Sequence, residues 1–202
     1  MSDKKYAVLI DADNVSDKYI KAILDEISNE GTITYKRIYG DWTRPGLSSW
    51  KNILLNHSIT PIQQYGYTTG KSSTDSAMII DAMDILYSGS VDGFCIVSSD
   101  SDFTRLAVRL RESGMNVIGM GEKKTPNAFI AACNRFKYLE IIGGEKVSDD
   151  KEEVRDNDLD DMTIANIKRA VAEIVSDVSD ESGCAALSDV GNILIKRFPS
   201  FD

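Results

Sequence analysis

Histidine is almost missing from this chain of 202 residues: His57 stands alone, and the three cysteines lie far apart at Cys95, Cys133 and Cys184. There is no Cys-x-x-Cys pair and no Cys/His cluster, which argues against a zinc site. An odd number of widely spaced cysteines in apolar or helical surroundings reads as reduced thiols in an intracellular protein. A long hydrophobic run is also lacking. Lys4 and Lys5 precede Tyr6-Ala-Val-Leu-Ile10, a stretch of strand length that is too short for a signal segment or a membrane span. These absences predict a cytoplasmic protein with no membrane partner.

An excess of basic charge is missing too, since the net charge is −9. Taken over the whole chain, that figure disfavours a nucleic-acid partner, but the acidity is unevenly placed. Residues 1–142 carry 16 Lys and Arg against 17 Asp and Glu, residues 143–162 carry 3 against 9, and residues 163–202 carry 4 against 6. The first segment is therefore nearly neutral and can still present a basic face.

What is present is an alternation. Short apolar runs recur at 6–10, 33–39, 59–65, 93–98, 115–120 and 138–142, each read as a strand buried on both faces. Between them, segments 16–29, 47–57, 74–87, 102–113 and 126–136 carry helical periodicity. Strand alternating with helix predicts right-handed crossovers and an α/β fold with a mainly parallel sheet flanked by helices. Ser16 and Asp17 suit a helix start, Gly31, Gly89 and Gly114 suit helix ends, and Pro126 suits a first turn. One domain is expected over residues 1–142 and a solvated acidic linker over 143–162. A partial helical segment follows over 163–202, with one stripe at Ile164, Ile167, Val171, Ile174 and Val175 and another at Leu187, Val190, Ile193 and Leu194. Two short helices cannot bury both stripes well.

The chemistry-bearing residues are carboxylates at predicted strand ends and helix starts. Asp11 follows the first strand, Asp75 opens a helix, and Asp100 and Asp102 follow Phe94-Cys-Ile-Val97. Open α/β sheets hold ligands at the carboxyl ends of their strands, so these acids should converge. Converging carboxylates repel and are eased by water, a basic neighbour or a bound cation. Each also has a local explanation. Asp13 and Asn14 suit an Asx-turn, while Asp75 and Asp102 suit helix N-termini. Asp81 interrupts a run of Ala, Met and Ile, where a charge calls for a partner such as Lys71 or an arginine.

Candidates for contact with a polyanion surround these acids. Trp42, Arg44 and Trp50 flank Pro45-Gly46, Lys71 lies in a Gly-Ser-Thr stretch, Arg105 and Arg109 share a helix face, and Lys123-Lys124 follow a strand end. Stacking aromatics and scattered cations suit single-stranded nucleic acid. Gly119-Met-Gly121 falls short of a GxGxxG, so a dinucleotide site has little support.

Taken together, Asp11-Ala-Asp-Asn14, Tyr39-Gly-Asp-Trp42, Lys71 to Asp75, and Val97-Ser-Ser-Asp-Ser-Asp-Phe103 resemble the NYN domain, a branch of the PIN-like nucleases. The likeness covers about residues 4–142. Leu187-Ser-Asp-Val-Gly-Asn192 and Arg197-Phe-Pro-Ser-Phe-Asp202 resemble the first half of an OST-HTH (LOTUS) module. The first resemblance implies a Rossmann-like sheet and RNA cleavage with Mg²⁺ or Mn²⁺. Asp11, Asp75, Asp100 and Asp102 would then be metal ligands and catalytic residues, with Asn14, Asp81 and Ser99 in support. Trp42, Arg44, Lys71, Arg105, Lys123 and Lys124 would meet RNA, expected to be single-stranded. The second resemblance implies a protein partner through the C-terminal segment, and a homodimer is also compatible. Two alternatives stay open: a non-catalytic RNA-binding adaptor with a residual metal site, and a HAD-type phosphatase. The latter rests on Asp11-Ala-Asp13 after the first strand, although Val15 stands where the usual Thr follows.

Overall fold

Six strands form one parallel sheet: β1 (Lys5–Asp11), β2 (Thr32–Gly40), β3 (Thr60–Gln63), β4 (Gly93–Val97), β5 (Asn116–Gly121) and β6 (Arg135–Tyr138). Their order is β3-β2-β1-β4-β5-β6, with every neighbouring pair parallel. The chain winds outward in one direction from β1 and then in the other from β4. The crevice between those two strands is the topological switch point where such sheets bind ligands. This computed structural model describes residues 3–65, 73–144, 164–179 and 185–197, apart from the side chains of 73 and 164–169.

Side chains alternate across each strand, and the alternation sorts the core into two layers. Tyr6, Val8 and Ile10 of β1 and Cys95 and Val97 of β4 pack with Ile23 and Ile27 of α1 (Ile20–Glu30) and Leu54 of α2 (Trp50–His57). Ala7 and Leu9 of β1 and Phe94 and Ile96 of β4 pack with Met78 and Ala82 of α3 (Ser73–Ser88) and Leu106 and Leu110 of α4 (Thr104–Glu112). Burial on both faces explains why the central strands read as continuous apolar runs. Asp11 shares its parity with Ala7 and Leu9, so its carboxylate belongs to the α3 side of the sheet.

Gly89 and Gly114 follow α3 and α4 at φ +64° and +81°, the left-handed conformation that lets a helix end. Ser16 stands at the start of a 3-10 turn over Asp17–Tyr19 that leads into α1, yet its side chain makes no capping bond. The glycine at 119 has a packing reason: a Cβ there would lie 2.6 Å from both Cys133 Sγ and the Phe136 ring. Gly119→Ala should therefore cost about 1–3 kcal/mol through overpacking, read as a lowered urea midpoint with an unchanged slope.

The last strand departs from the expected 138–142. It is β6 at Arg135–Tyr138, the preceding helix α5 (Asn127–Ala132) is shorter than the expected 126–136, and Leu139–Ile142 form the short helix α6. Charge hid this strand from a reading based on apolar runs. Phe136 enters the α3-side core, while Arg135 and Lys137 point to the other face and pair with Glu30 and Glu26 of α1, each at 2.6 Å.

Beyond residue 163, α7 (Ile164–Val178) and α8 (Leu187–Arg197) pack on each other and bury Ala170, Ile174, Val190 and Leu194. Leu187, expected in that stripe, is 87% exposed. Ile164 and Ile167 fall among the undescribed side chains, and Cys184 and residues 198–202 lie outside the described residues. Cys95 and Cys133 are free and buried. Burial pushes both thiols up, Cys133 to about 12, so neither is a reactive thiolate. Among the described residues, no helix is long and apolar enough to cross a membrane.

Candidate metal centre

Three carboxylates gather at the switch point. Ligand oxygens of Asp75, Asp100 and Asp102 all lie within 4.8 Å of one another. Asp75 comes from the buried first turn of α3, and Asp100 and Asp102 from the loop and 3-10 turn that follow β4. Burial falls in that order, with Asp102 exposed, so the group opens to solvent on one side. A set of carboxylate oxygens at this spacing, with neither sulfur nor imidazole, is the donor chemistry of a hard divalent cation.

Asp102 lies in the first turn of the 3-10 helix Ser101–Phe103, at a helix N-terminus as expected, and Asp100 is its cap. Asp100 precedes the 3-10 turn Ser101–Phe103 with extended backbone, and its Oδ1 accepts the Asp102 N–H at 2.9 Å. A cap uses one carboxylate oxygen and leaves the other for a ligand, so the two roles coexist.

Asp11 lies beneath this group rather than within it. It is fully buried, and its carboxylate accepts bonds from the Asp13 N–H (3.1 Å), the Asn14 amide (2.7 Å) and the Ser98 hydroxyl (2.8 Å). Burial pushes the Asp11 carboxyl above the usual carboxylate range, and those three donors oppose the push without cancelling it. Ser98 is a residue that the sequence reading passed over in favour of Ser99. Its hydroxyl donates to Asp11 and accepts the Asp100 N–H at 3.1 Å, joining the β1 acid to the β4 loop. The signal was parity, because Ser98 lies two residues beyond Ile96 and four beyond Phe94, on the same face of β4. Ser99 accepts the Glu122 N–H at 2.8 Å instead and ties the β4 loop to the end of β5.

Two networks hold the elements that carry the acids. Asp13 accepts from Thr74 Oγ1 at 3.2 Å, linking the β1 loop to the start of α3 beside Asp75. Asp81 accepts from Arg37 and from the Tyr39 hydroxyl, both on β2. That charge in an apolar stretch of α3 is therefore explained by an arginine partner that fastens the helix to the sheet. Burial, and after it the Asp81 carboxylate, push the Tyr39 hydroxyl up, while the Arg37 guanidinium opposes them.

The candidate RNA contacts separate on inspection. Arg44 is exposed at the site rim, 3.5 Å from Asp13 and 3.8 Å from Asp41. Arg105 and Lys123 are exposed, and Lys124 pairs with Glu122 at 2.7 Å. Trp42 is half-buried against the α2-side core, and its indole N–H donates to the Ile62 carbonyl at 3.0 Å. Trp50 is only 3% exposed, which removes it as a stacking platform. Lys71 lies outside the described residues.

A doubly wound parallel sheet with three acids at its switch point that could hold a metal ion is consistent with a PIN-like fold. The sequence model of the NYN domain matches residues 5–140, and the chain belongs to that family. Among solved structures, it resembles a protein of unknown function, VPA0982, from Vibrio parahaemolyticus. The likeness has a TM-score of 0.56 at 20% identity and covers 66% of this chain and 91% of that one, which supports the fold alone. No curated protein matches the chain.

Proposed function

We propose that the chain is a metal-dependent endoribonuclease that hydrolyses phosphodiester bonds, with single-stranded RNA as its substrate. The observation that carries this reading is the convergence of Asp75, Asp100 and Asp102 at the switch point of an NYN domain. These three acids would hold Mg²⁺ or Mn²⁺, with Asp11 supporting them from below and available as a fourth ligand. Bound there, a divalent cation supplies an activated water and stabilises the leaving oxygen of an in-line displacement.

The chain's own residues do the rest. Asn14 and Ser98 donate to the buried Asp11 carboxylate and oppose the cost of its burial, Asp100 orients the turn that presents Asp102, and Ser99 ties the loop ahead of them to the end of β5. Arg44, Arg105 and Lys123 stand as exposed cations for backbone phosphates, joined in this reading by Lys71 and Lys124. Trp42 offers at most a ring edge, because its indole N–H and part of its surface are already engaged. The enclosure of Asp11 argues against the phosphatase alternative, whose nucleophile must reach a phosphoryl group. We also assign residues 1–142 to the nuclease domain, 143–162 to the linker and 163–202 to a LOTUS-like segment that recruits a protein partner in the cytoplasm.

The test compares single-stranded and duplex RNA of the same sequence with Mg²⁺, with Mn²⁺ and with chelator. Cleavage of the single strand that needs a divalent ion is the expected result. Tight RNA binding without cleavage under either ion would replace the nuclease with the adaptor reading.

A further inference from the structure

Helix α3 is apolar on two sides. Inward it buries Met78, Ala82 and Ile85; outward it exposes Ile80 at 64% and Tyr87 at 73%, with Met83 half-buried between them. Residues 80, 83 and 87 fall three and four apart, on one stripe of the helix. A surface helix ordinarily turns a polar side outward, and one that is apolar all round has a second cover. The neighbouring helix supplies the rest of the patch. Arg109 and Glu112 are exposed on α4, and Arg109 donates to the Tyr87 hydroxyl at 3.4 Å, so the two outward faces adjoin.

The charges of this patch identify what covers it. Asp84 and Glu112 stand against two bases, Arg109 and, one turn before it on the same exposed face of α4, Arg105, so acids and bases balance. A nucleic acid requires a surplus of cations, which this face lacks. Acid and base on one apolar patch suit a two-fold contact, in which residue i meets residue j of the other copy and j meets i. We propose that the outward faces of α3 and α4 pair with the same faces of a second copy of this chain. Ile80 and Tyr87 form the centre, and Arg109 faces the other copy's acids. This inference goes beyond the nuclease reading and does not depend on it. Because Asp75 lies in the first turn of α3, the contact also braces the helix that delivers one of the three clustered carboxylates.

Sedimentation velocity on the full chain over about 1–100 μM, the range of weak specific association, tests the pairing. The weight-average mass should rise from 22.3 kDa toward twice that value, and Ile80→Glu should weaken association by about tenfold or more. Arg109→Glu alone and Asp84→Arg with Glu112→Arg should each stay monomeric, and an equimolar mixture of the two should recover the dimer. Thermal melts followed by circular dichroism check that each variant is folded; should Ile80→Glu unfold, the charge-reversed mixture decides. A wild type that stays at 22.3 kDa throughout, or a mixture that stays monomeric, overturns the proposal. Loss of RNA affinity in Arg109→Glu with wild-type mass unchanged from monomer would make this a nucleic-acid face instead.

Discussion

Asp100→Asn should abolish metal-dependent cleavage and leave the fold intact. The substituted amide keeps Oδ1 as an acceptor for the Asp102 N–H, so the 3-10 turn Ser101–Phe103 retains its cap. What disappears is one negative charge from a group of three whose oxygens lie within 4.8 Å. A cation there loses a charged ligand, and the loss bears on the transition state, where charge on the phosphate is being redistributed. A fall in kcat/KM of at least about 10²–10³-fold is expected, the scale for removing a group that stabilises developing charge. The melting temperature without metal should hold or rise, because one repulsive carboxylate has gone. Cleavage at the wild-type rate by the purified, folded variant would sink the nuclease reading.

Asp11→Asn should separate stability from function in the opposite direction, making the metal-free protein more heat-resistant while depressing cleavage. Asp11 is fully buried, and burial holds its carboxyl above the usual carboxylate range despite three donors. An ionised carboxylate there costs folding free energy. An amide avoids that cost and still satisfies its neighbours, since its Oδ1 can accept the Asp13 N–H, the Asn14 amide can turn its oxygen inward, and the Ser98 hydroxyl can accept. The sign with pH follows from proton uptake. With the folded pKa above the unfolded one, the folded state binds more protons between the two values, so stability falls as pH rises through that window. The tolerated protonated form is complete below the unfolded value near 4, and the full cost is present above the folded value. Melts in chelator should thus show a wild-type deficit at neutral pH that narrows as pH falls toward 4, at about 2–4 °C per kcal/mol for a chain of this size. A variant that melts lower than wild type at pH 7 would mean that the three donors overcome burial.

Much of the site could be read from residue order, for a physical reason. Strand ends of a doubly wound sheet converge by topology, so Asp11, Asp100 and a helix-opening Asp75 had to approach one edge once alternation was recognised. The ranking among them could not be read that way. Asp11 and Asp100 both stand just past strand ends, yet Asp100 joins Asp75 and Asp102 while the buried Asp11 carboxylate is held by Asn14 and Ser98. That depends on how far each side chain protrudes from the edge. Ser98 and Ser99 are equivalent by residue type, and only strand parity turns Ser98 toward Asp11 and Ser99 toward the end of β5. Asp81 needed a partner, but its arginine lies 44 positions away on β2, and no local pattern names such a partner.

The fate of the aromatics shows the same divide. Trp42 and Trp50 flank a Pro-Gly turn and suit base stacking by composition, whereas packing turns Trp50 into the core and commits the Trp42 indole to the Ile62 carbonyl. β6 was misplaced because Arg135 and Lys137 interrupt its apolar pattern, and their pairing with α1 emerges only across the sheet.

By itself, the order of residues determined the alternating strands and helices, the parallel sheet and the acidic edge, which follow from periodicity, which is local, and from the convergence that periodicity forces. The NYN family rests on the motifs that its model matches over residues 5–140. Only the tertiary structure decided that Asp75, Asp100 and Asp102 form the group while Asp11 lies beneath, that Asp81 fastens α3 to β2, and that α3 shows a second apolar face. Those outcomes depend on which side chains meet across the sheet and which remain uncovered, and contacts between distant residues leave no periodic trace along the chain.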